Sequence, residues 1–458
     1  MKVLGLIVEY NPFHQGHLYH LNKAKELIKP DVTIAVMSSH FVQRGEPAIS
    51  DKWTRASVAI KNGIDIVIEL PFVYSVQSAD YFAYGAVDLL HQIGVNNLVF
   101  GSENGDINRF KEIAITIKSH QQEYDDLVKK QMKQGLRYPD ACNQALSIIM
   151  NKTVTTPNDL LGLAYVKEVI NHDYPIDLHC IKRTNDFHSL QIETISSASA
   201  IRNALKNKIN IANQFCNYND YQEFYFFNDF FPYLRYQLLT MSKEKLKQIH
   251  LVDEGIENLL QEKILTVKNM EELITSLTSK RYTRSRIQRM LIHILMNNDK
   301  KTIEQAKQID YLRILKMNKT GQQYLNQIKK NCNYHLITNF SSYDHLALQL
   351  EFKATKLLSC LSKQPDKLIE QEYKSIPFIT NNTINIDLDK LHTTKLGNER
   401  IKRNLSLDTD DAVTYLKNKL KTTNYTILQN GKNYYINTND CIITININSH
   451  TIITAHKK

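Results

Sequence analysis

Two histidines near the start of the chain have the type and spacing to act on a phosphate group. His14 and His17 stand on either side of Gly16, where an apolar run gives way to a helical pattern. A helix N-terminus binds phosphate through free backbone N–H groups and the helix dipole, and glycine lets the ligand approach the backbone closely. Imidazoles there can stabilise charge that builds up during attack on phosphorus. The alternative is an ordinary histidine pair at a helix start, or a metal-binding pair at i, i+3.

The elements around these histidines predict a parallel α/β sheet. Val3–Val8 is apolar without alternation, as in a strand buried on both faces, and Pro12 ends the extended segment. Because ligands bind beyond the carboxyl ends of such strands, we expect His14, Arg44 and Gly101 at one edge of the sheet. Three further strand patterns alternate with helical ones, at 31–38, 65–71 and 97–102.

Three later segments carry polar groups suited to the same ligand. Asn158 lies at a predicted helix start, where it either caps the helix or contacts a ligand. A further strand pattern ends at Arg183. Ser196 and Ser197 lie at another turn, where hydroxyls and helix-start amides can hold phosphates while Arg202 neutralises them. A serine-rich helix cap is the alternative there.

The composition excludes several classes of protein. The chain has 458 residues, a formal net charge of +10 and 42% hydrophobic residues. It contains no run of about 18 apolar residues, which a membrane-spanning helix needs, and no secretory signal. Its six cysteines form no CxxC pair, which disfavours a zinc site and a disulfide framework. These features predict a cytoplasmic protein without a membrane partner.

A basic window predicts a polyanionic partner. Residues 280–330 contain 13 Lys and Arg against three Asp and Glu, a net charge equal to that of the whole chain. Nucleic acid is the first candidate, and a solvated basic surface is the alternative. Apolar residues at helical spacing predict one buried face, with Arg286, Arg289 and His293 opposite it. The expected RNA-contacting residues are Arg281, Arg284, Arg286 and Arg289.

The patterns divide the chain into three expected domains. Residues 1–206 alternate strands and helices, and residues 207–376 are mainly helical. Residues 377–458 combine one helical pattern with short strand patterns, as in a small α+β extension. We assign no function to this extension.

Several motifs resemble those of a known enzyme family. His14-Gln15-Gly16-His17 matches the HxGH signature of the nucleotidyltransferase superfamily, and ISSASAIR at 195–202 is similar to its ISSTxxR motif. With GLIVEYNPFHQGH, FVQRGEPAISDKWTRA and KRYTRSRIQR, these motifs resemble the bacterial tRNA(Met) cytidine acetate ligase family over residues 1 to about 375. The implied fold is α/β, with a Rossmann-like parallel-sheet nucleotidyltransferase domain followed by a mainly helical domain.

The resemblance implies an ATP-dependent ligase. Such an enzyme activates acetate as acetyl-adenylate, releases pyrophosphate and acetylates the wobble cytidine of elongator tRNA(Met) to N4-acetylcytidine. His14 and His17 would be catalytic residues at the α-phosphate. The implied ATP-binding residues are Ile7, Val8, Glu9, Tyr10, Asn11, Pro12, Phe13, His14, Gln15, Gly16, His17, Leu18, Tyr19, His20, Gly101, Asn158, Arg183, Ser196 and Ser197.

The expected chemistry agrees with the residue types present. Acetate is an anion at neutral pH, so its adenylation needs alignment and charge stabilisation rather than a general base. Mg²⁺ is expected on the triphosphate, with ligands that the sequence does not identify. Two other functions stay open: an adenylyltransferase acting on a small cofactor precursor, and a non-catalytic RNA-binding protein. The oligomeric state also stays open.

Overall fold

The protein is described by a computed structural model that covers residues 1–183, 196–375, 377–378, 388–422, 426–430, 432–438 and 440–457. The chain forms two compact units, 1–377 and 378–458. The expected domain boundary after residue 206, inside the first unit, stays a prediction. No helix within the described ranges is both long and apolar enough to cross a membrane.

Seven strands of the described chain form the sheet of the first unit. They are β1 (Val3–Val8), β2 (Val32–Ser38), β3 (Ile66–Leu70), β4 (Asn97–Ser102), β5 (Asp177–Lys182), β6 (Tyr311–Met317) and β7 (His335–Ile337). Their order is β5-β4-β1-β2-β3-β6-β7, and every pairing is parallel except that of β3 with β6. The predicted α/β fold class is confirmed.

Helices connect these strands and continue after them. They are α1 (Gln15–Ile28), α2 (Lys52–Lys61), α3 (Phe72–Ser75), α4 (Ala79–Gln92), α5 (Ile107–Ser119), α6 (Gln121–Lys133), α7 (Tyr138–Met150), α8 (Pro157–Asn171), α9 (Ala198–Lys206), α10 (Phe231–Thr240), α11 (Lys243–Gln248), α12 (Ile256–Lys263), α13 (Met270–Leu277), α14 (Arg284–Leu295), α15 (Lys300–Ala306), α16 (Lys319–Ile328), α17 (Leu346–Ser359), α18 (Pro365–Lys374), α19 (Lys395–Leu405) and α20 (Ala412–Thr422).

The strands at the centre of the sheet are buried, as their apolar sequences predict. β2 and β3 are buried along their whole length, because parallel strands are covered by helices on both faces. β1 pairs in register with β2, with Gly5 opposite Ile34, and Ile34 in turn lies opposite Ile66 of β3. The mutually parallel strands β1 to β5 therefore all end at the same edge of the sheet, and α1 begins at that edge, just after β1.

Two strands come from the region that the sequence predicts as mainly helical. β6 contains Arg313 and Lys316, which interrupt its apolar pattern. Arg313 is nevertheless buried, because it pairs with Glu69 at 3.0 Å and with Glu372. Lys52 joins the same buried group, 2.6 Å from Glu69 and 2.7 Å from Glu372. These partners are distant in sequence, so no local pattern shows that the charges can be buried in a strand.

Helix α14 differs from the two-faced helix that its sequence predicts. Eight of its 12 residues are buried, among them His293, whose ring packs against Phe72 and His250. The assignment of His293 to an exposed basic face is therefore wrong. The reason is that neighbours surround this helix: α10 and α13 pack against it, and the backbone at Arg289 also contacts Gly45.

The second unit is a small α+β structure. Strands β8 (Thr426–Asn430), β9 (Asn433–Asn437), β10 (Cys441–Asn446) and β11 (Ile452–Lys457) form an antiparallel sheet in the order β11-β10-β9-β8. Helix α19 packs against β11 and also against α20. The core of this unit includes Ile401, Leu416, Ile436, Ile443 and Ile452.

Candidate active site

A cleft with a volume of about 340 Å³ lies at the carboxyl ends of β1, β4 and β5. Most of the predicted ATP-binding residues line it. Pro12 and Phe13 are instead buried, and Phe13 packs against Tyr10, while Gln15 and Leu18 are half-buried in the first turn of α1. The predicted residues that line the cleft are Ile7, Val8, Glu9, Tyr10, Asn11, His14, Gly16, His17, Tyr19, His20, Gly101, Asn158, Arg183, Ser196 and Ser197.

His14 and His17 lie together at the start of α1. His14 is the N-cap residue, and its Nδ1 accepts a hydrogen bond from the Gly16 backbone N–H at 3.0 Å. A neutral imidazole that accepts at Nδ1 carries its proton at Nε2, so His14 keeps one N–H donor. The centroids of the two imidazole rings are 3.9 Å apart. The helix start thus combines backbone and imidazole donors in one place, which suits an anionic phosphate.

The imidazoles of the cleft are neutral near pH 7. Burial, with Arg183 and Arg202 nearby, lowers the pKa of His14 to about 3. Burial and the neighbouring His14 lower the pKa of His17 well below its usual value. The pKa of His20 falls to about 4 for the same main reason. The cleft therefore offers an anion arginines and N–H donors rather than imidazolium ions.

Glu9 and Arg202 organise the loop that follows β1. The Glu9 Oε1 atom accepts a hydrogen bond from the Gln43 backbone N–H at 2.9 Å, and burial raises the pKa of this carboxyl group. Arg202 donates to the Asn11 carbonyl oxygen at 2.9 Å and pairs with Glu46 at 3.2 Å. Arg202 thereby connects α9 to the loops after β1 and β2.

Asn158 and Arg183 lie beside the end of β4. Asn158 does not cap α8: its Nδ2 donates to Glu103 Oε1 at 2.5 Å, and Thr156 occupies the N-cap position. Arg183 packs over Gly101, where an added Cβ would be 3.5 Å from the arginine Cγ. A Cβ at residue 101 would therefore be in ordinary van der Waals contact with the Arg183 side chain.

Ser196 and Ser197 begin the described part of the serine motif, 196–202, because Ile195 lies outside the described residues. Ser197 is the N-cap of α9, and its hydroxyl accepts from the Ala200 N–H. The Ser196 N–H donates to Gln214 Oε1 at 3.1 Å. Both serines line the cleft, so the cap and the ligand-facing surface occur at the same helix start.

Comparison of the sequence with known proteins identifies the family of this chain. A family model described as HIGH Nucleotidyl Transferase matches residues 1–373. A tRNA(Met) cytidine acetate ligase from Bacillus subtilis is 37% identical over 86% of this chain and 99% of that protein. One from Clostridium acetobutylicum is 39% identical over 82% and 99%. The chain belongs to the tRNA(Met) cytidine acetate ligase family. The resemblance seen in the motifs is thereby confirmed.

The structure of this chain is also similar to solved structures, among them two of Thermotoga maritima TmcAL. The apo form matches with a TM-score of 0.76 at 30% identity, over 83% of this chain and 100% of that chain. A second form, bound with alpha-thio ATP, matches with a TM-score of 0.74 at the same identity. The second unit of our chain matches a different family model, described as a protein of unknown function (DUF3781), at residues 385–456.

Sequence reasoning missed one wall of the cleft in this ligase family member. That wall consists of Ala79 and Phe82 from α4 together with Leu161 and Tyr165 from α8; we call it the α4–α8 wall. In the sequence these residues are indistinguishable from ordinary helix core residues, because their apolar side chains recur at helical spacing. Only the packing of α4 against α8 brings them to the cleft.

The four arginines that the sequence assigns to RNA contact have different environments. Arg281 is exposed, and Arg284 is exposed and paired with Glu271. Arg286 is half-buried over the Tyr282 ring, while Arg289 donates to the Gln43 carbonyl oxygen at 3.3 Å. None of these four residues lines the cleft within the described part of the chain.

Proposed function

We propose that this protein is an ATP-dependent ligase that acetylates the wobble cytidine of elongator tRNA(Met), with acetate as the acyl donor. Relatives that align with this chain over 99% of their own length carry the name tRNA(Met) cytidine acetate ligase. The observation that carries the proposal is the pair of adjacent imidazoles, His14 and His17, at the N-terminus of α1 inside the cleft. Gly101, Asn158 and Arg183 line the same cleft.

In the first step, an acetate oxygen attacks the α-phosphorus of ATP and the bond to the pyrophosphate oxygen breaks. The products are acetyl-adenylate and pyrophosphate. The His14 Nε2–H, His17 and the amides of the first turn of α1 stabilise the negative charge that builds up on the α-phosphate. Arg183 and Arg202 offset the charge of the β- and γ-phosphates, and Ser196 and Ser197 hydrogen-bond to them.

Mg²⁺ is expected to offset further charge on the leaving pyrophosphate. Phosphate oxygens and water commonly supply most of its ligands. Among the described residues, no three His, Cys, Asp or Glu side chains are grouped closely enough to form a metal site. We therefore assign no protein ligand to Mg²⁺.

In the second step, the acetyl group passes to the exocyclic amine of the cytidine. The tRNA must reach the cleft from outside, and a basic surface helps to hold its phosphate backbone. We propose that Arg281, Arg284 and Arg286 contact that backbone directly. Arg289, which bonds to the Gln43 carbonyl, would support the loop beside the cleft.

The test is mass spectrometry of nucleosides from tRNA(Met) after incubation with protein, ATP and acetate. We expect acetylcytidine and an equal amount of pyrophosphate from the wild-type protein. His14→Ala should lower both products by about 10²-fold or more, as expected when a donor to the developing charge is removed. His120→Ala, an exposed residue far along the chain, is the matched control and should retain full activity.

The same assay separates the two other functions. Pyrophosphate release that needs a small cofactor precursor instead of acetate would favour an adenylyltransferase of that kind. ATP binding without any pyrophosphate would favour a non-catalytic RNA-binding protein. Either outcome would contradict the acetate ligase proposal.

A further inference from the structure

The α4–α8 wall carries one hydroxyl, that of Tyr165, among apolar side chains. Tyr165 is only 4% exposed, and its ring packs against Phe100. Its hydroxyl has no hydrogen-bond partner within the described ranges, although the residue lines the cleft. Polar groups are generally satisfied by protein, water or ligand, so a hydroxyl on the cleft surface is available to a bound ligand.

A carboxylate oxygen in the same cleft, on Glu9, is also available. Glu9 uses Oε1 for the Gln43 N–H, and no donor among the described residues bonds to Oε2. Burial and the Glu9 carboxylate together raise the pKa of Tyr165, so the hydroxyl stays protonated and can donate. The cleft therefore presents one acceptor and one donor beside the apolar side chains of Phe82 and Leu161.

This combination fits a nucleobase with an exocyclic amine. Enzymes that modify a base hold it between apolar side chains and recognise its Watson–Crick edge. A carboxylate accepts from the N4 amine of cytosine, and a hydroxyl can donate to an acceptor of the ring. Acetate fits less well, because its negative charge would lie close to the Glu9 carboxylate.

We propose that Glu9 and Tyr165 form the subsite for the acceptor cytosine, where the Glu9 carboxylate accepts a hydrogen bond from the N4 amine and then its proton. This inference rests on the proposed function, because it specifies where the second substrate of that reaction binds. It gives the Glu9 side chain a partner other than ATP.

The transfer step balances with these groups. The cytosine N4 atom attacks the carbonyl carbon of acetyl-adenylate, an N–C bond forms, and the bond from that carbon to the phosphate oxygen breaks. AMP leaves with the electron pair of that bond. One N4 proton passes to the Glu9 carboxylate and from there to solvent, which regenerates the carboxylate.

The surroundings of Glu9 suit a base of this kind. Burial raises its pKa, which strengthens it as a proton acceptor, while Arg202 and Arg44 favour the ionised form. Glu46 opposes these arginines, and the Gln43 N–H stabilises the carboxylate. The Glu9 carboxylate in turn raises the pKa of Tyr165 on α8.

Glu9→Gln tests the proposal, because the amide oxygen can still accept from the Gln43 N–H while the amide nitrogen cannot accept from the cytosine amine. Two rates are measured: acetate-dependent pyrophosphate release without tRNA, and acetylcytidine formation on tRNA(Met). We expect the ratio of the second rate to the first to fall by about 10²-fold, the usual contribution of a general base. The acid limb of the pH profile of acetyl transfer should also disappear.

Tyr165→Phe is a second variant, which keeps the ring and removes only the hydroxyl. We expect the same ratio to fall by about threefold to tenfold, the effect of one hydrogen bond. The matched controls are Glu123→Gln and Tyr236→Phe, both at exposed positions. Thermal melting and binding of an ATP analogue establish that each variant is folded.

Three results would overturn the inference. Normal acetylcytidine formation by Glu9→Gln would exclude a role for the carboxylate in acetyl transfer. An equal loss of both rates with a raised KM for ATP would indicate that Glu9 binds the adenine amine instead. If the wild-type protein releases no pyrophosphate with acetate, the proposed function itself fails, and this inference fails with it.

Discussion

The three imidazoles of the cleft link single residues to the pH dependence of stability. The pKa of His14 lies at about 3 and that of His20 at about 4 in the folded protein, and that of His17 is also well below the ordinary value. Between those values and about pH 6.5, the unfolded chain binds protons that the folded chain does not. The contribution of these neutral imidazoles to the free energy of unfolding is therefore present above pH 6.5 and is lost as the pH falls towards 4.

We expect His20→Gln to reduce this acid sensitivity. Each such imidazole contributes a slope of about 1 kcal/mol per pH unit between pH 6 and 5, and the variant should lose that contribution. The measurement is the free energy of unfolding in urea at pH 7.5, 6 and 5. His120→Gln, at an exposed position, is the control. An unchanged slope in His20→Gln would show that His20 titrates normally in the folded protein.

At the scale of the elements, the conformation of the loop from Gln43 to Glu46 depends on its contact with helix α14. Gly45 has a φ angle of +81°, and an added Cβ would lie 2.2 Å from the Arg289 backbone nitrogen. Gly45→Ala must therefore displace either the loop or the helix. We expect it to lower the free energy of unfolding by at least about 2 kcal/mol, from backbone strain and the steric clash together.

Gly135→Ala is the matched control for this substitution. Its φ angle is +93°, but no atom lies within 4 Å of the added Cβ, so only the backbone strain applies, about 1 kcal/mol. Urea unfolding measures both variants. Equal losses of stability would contradict a close contact between the loop and α14. Gly45→Ala should also lower acetyl transfer, because the Gln43 N–H holds the Glu9 carboxylate.

The exposed residues just before α14 and at its start carry the predicted contact with RNA. We expect Arg281→Gln to weaken tRNA(Met) binding and to lower the slope of log affinity against log salt by about 1, because one phosphate contact is lost. Lys130→Gln, on the exposed surface of α6, should leave both quantities unchanged. Filter binding at several salt concentrations measures the tRNA(Met) affinity and its salt slope for each variant. The same salt slope in Arg281→Gln and wild type would remove this residue from the RNA-binding surface.

The elements also show what a single sequence can predict. β1 and the start of α1 were predictable, because a continuous apolar run, a proline and the spacing of His14 and His17 are local signals. β6 was not predictable, because the charge of Arg313 is compensated only by distant residues. The α4–α8 wall was missed for a similar reason: Phe82 and Tyr165 become part of a site only after two helices pack together.

At the scale of the whole molecule, the two units differ in their relation to the family. Alignments with relatives cover all or nearly all of those proteins but only about 83% of this chain. The second unit, 378–458, has its own core. We expect residues 1–377 alone to fold and to acetylate tRNA(Met) within about twofold of the full chain, less than the change from one hydrogen bond. Loss of acetylation with retained pyrophosphate release would instead assign the second unit a role in using tRNA.

The first unit is held together across its length by the buried charges of Lys52, Arg313, Glu69 and Glu372. Lys52 lies on α2, Glu69 on β3, Arg313 on β6 and Glu372 on α18, so this group joins the start of the unit to its end. Removing one partner from a buried ion pair leaves an uncompensated charge without water. We therefore expect Lys52→Met to lower the free energy of unfolding by about 3–5 kcal/mol.

Lys61→Met is the matched control, because Lys61 makes a partly exposed ion pair with Asp220 at 2.8 Å. Such pairs contribute about 0–1 kcal/mol, so urea unfolding should separate the two variants clearly. The loss in Lys52→Met should also shrink at low pH, where protonation of Glu69 and Glu372 removes the uncompensated negative charge. A loss that is the same at pH 7 and pH 4 would show that Lys52 stabilises the unit by packing rather than by charge.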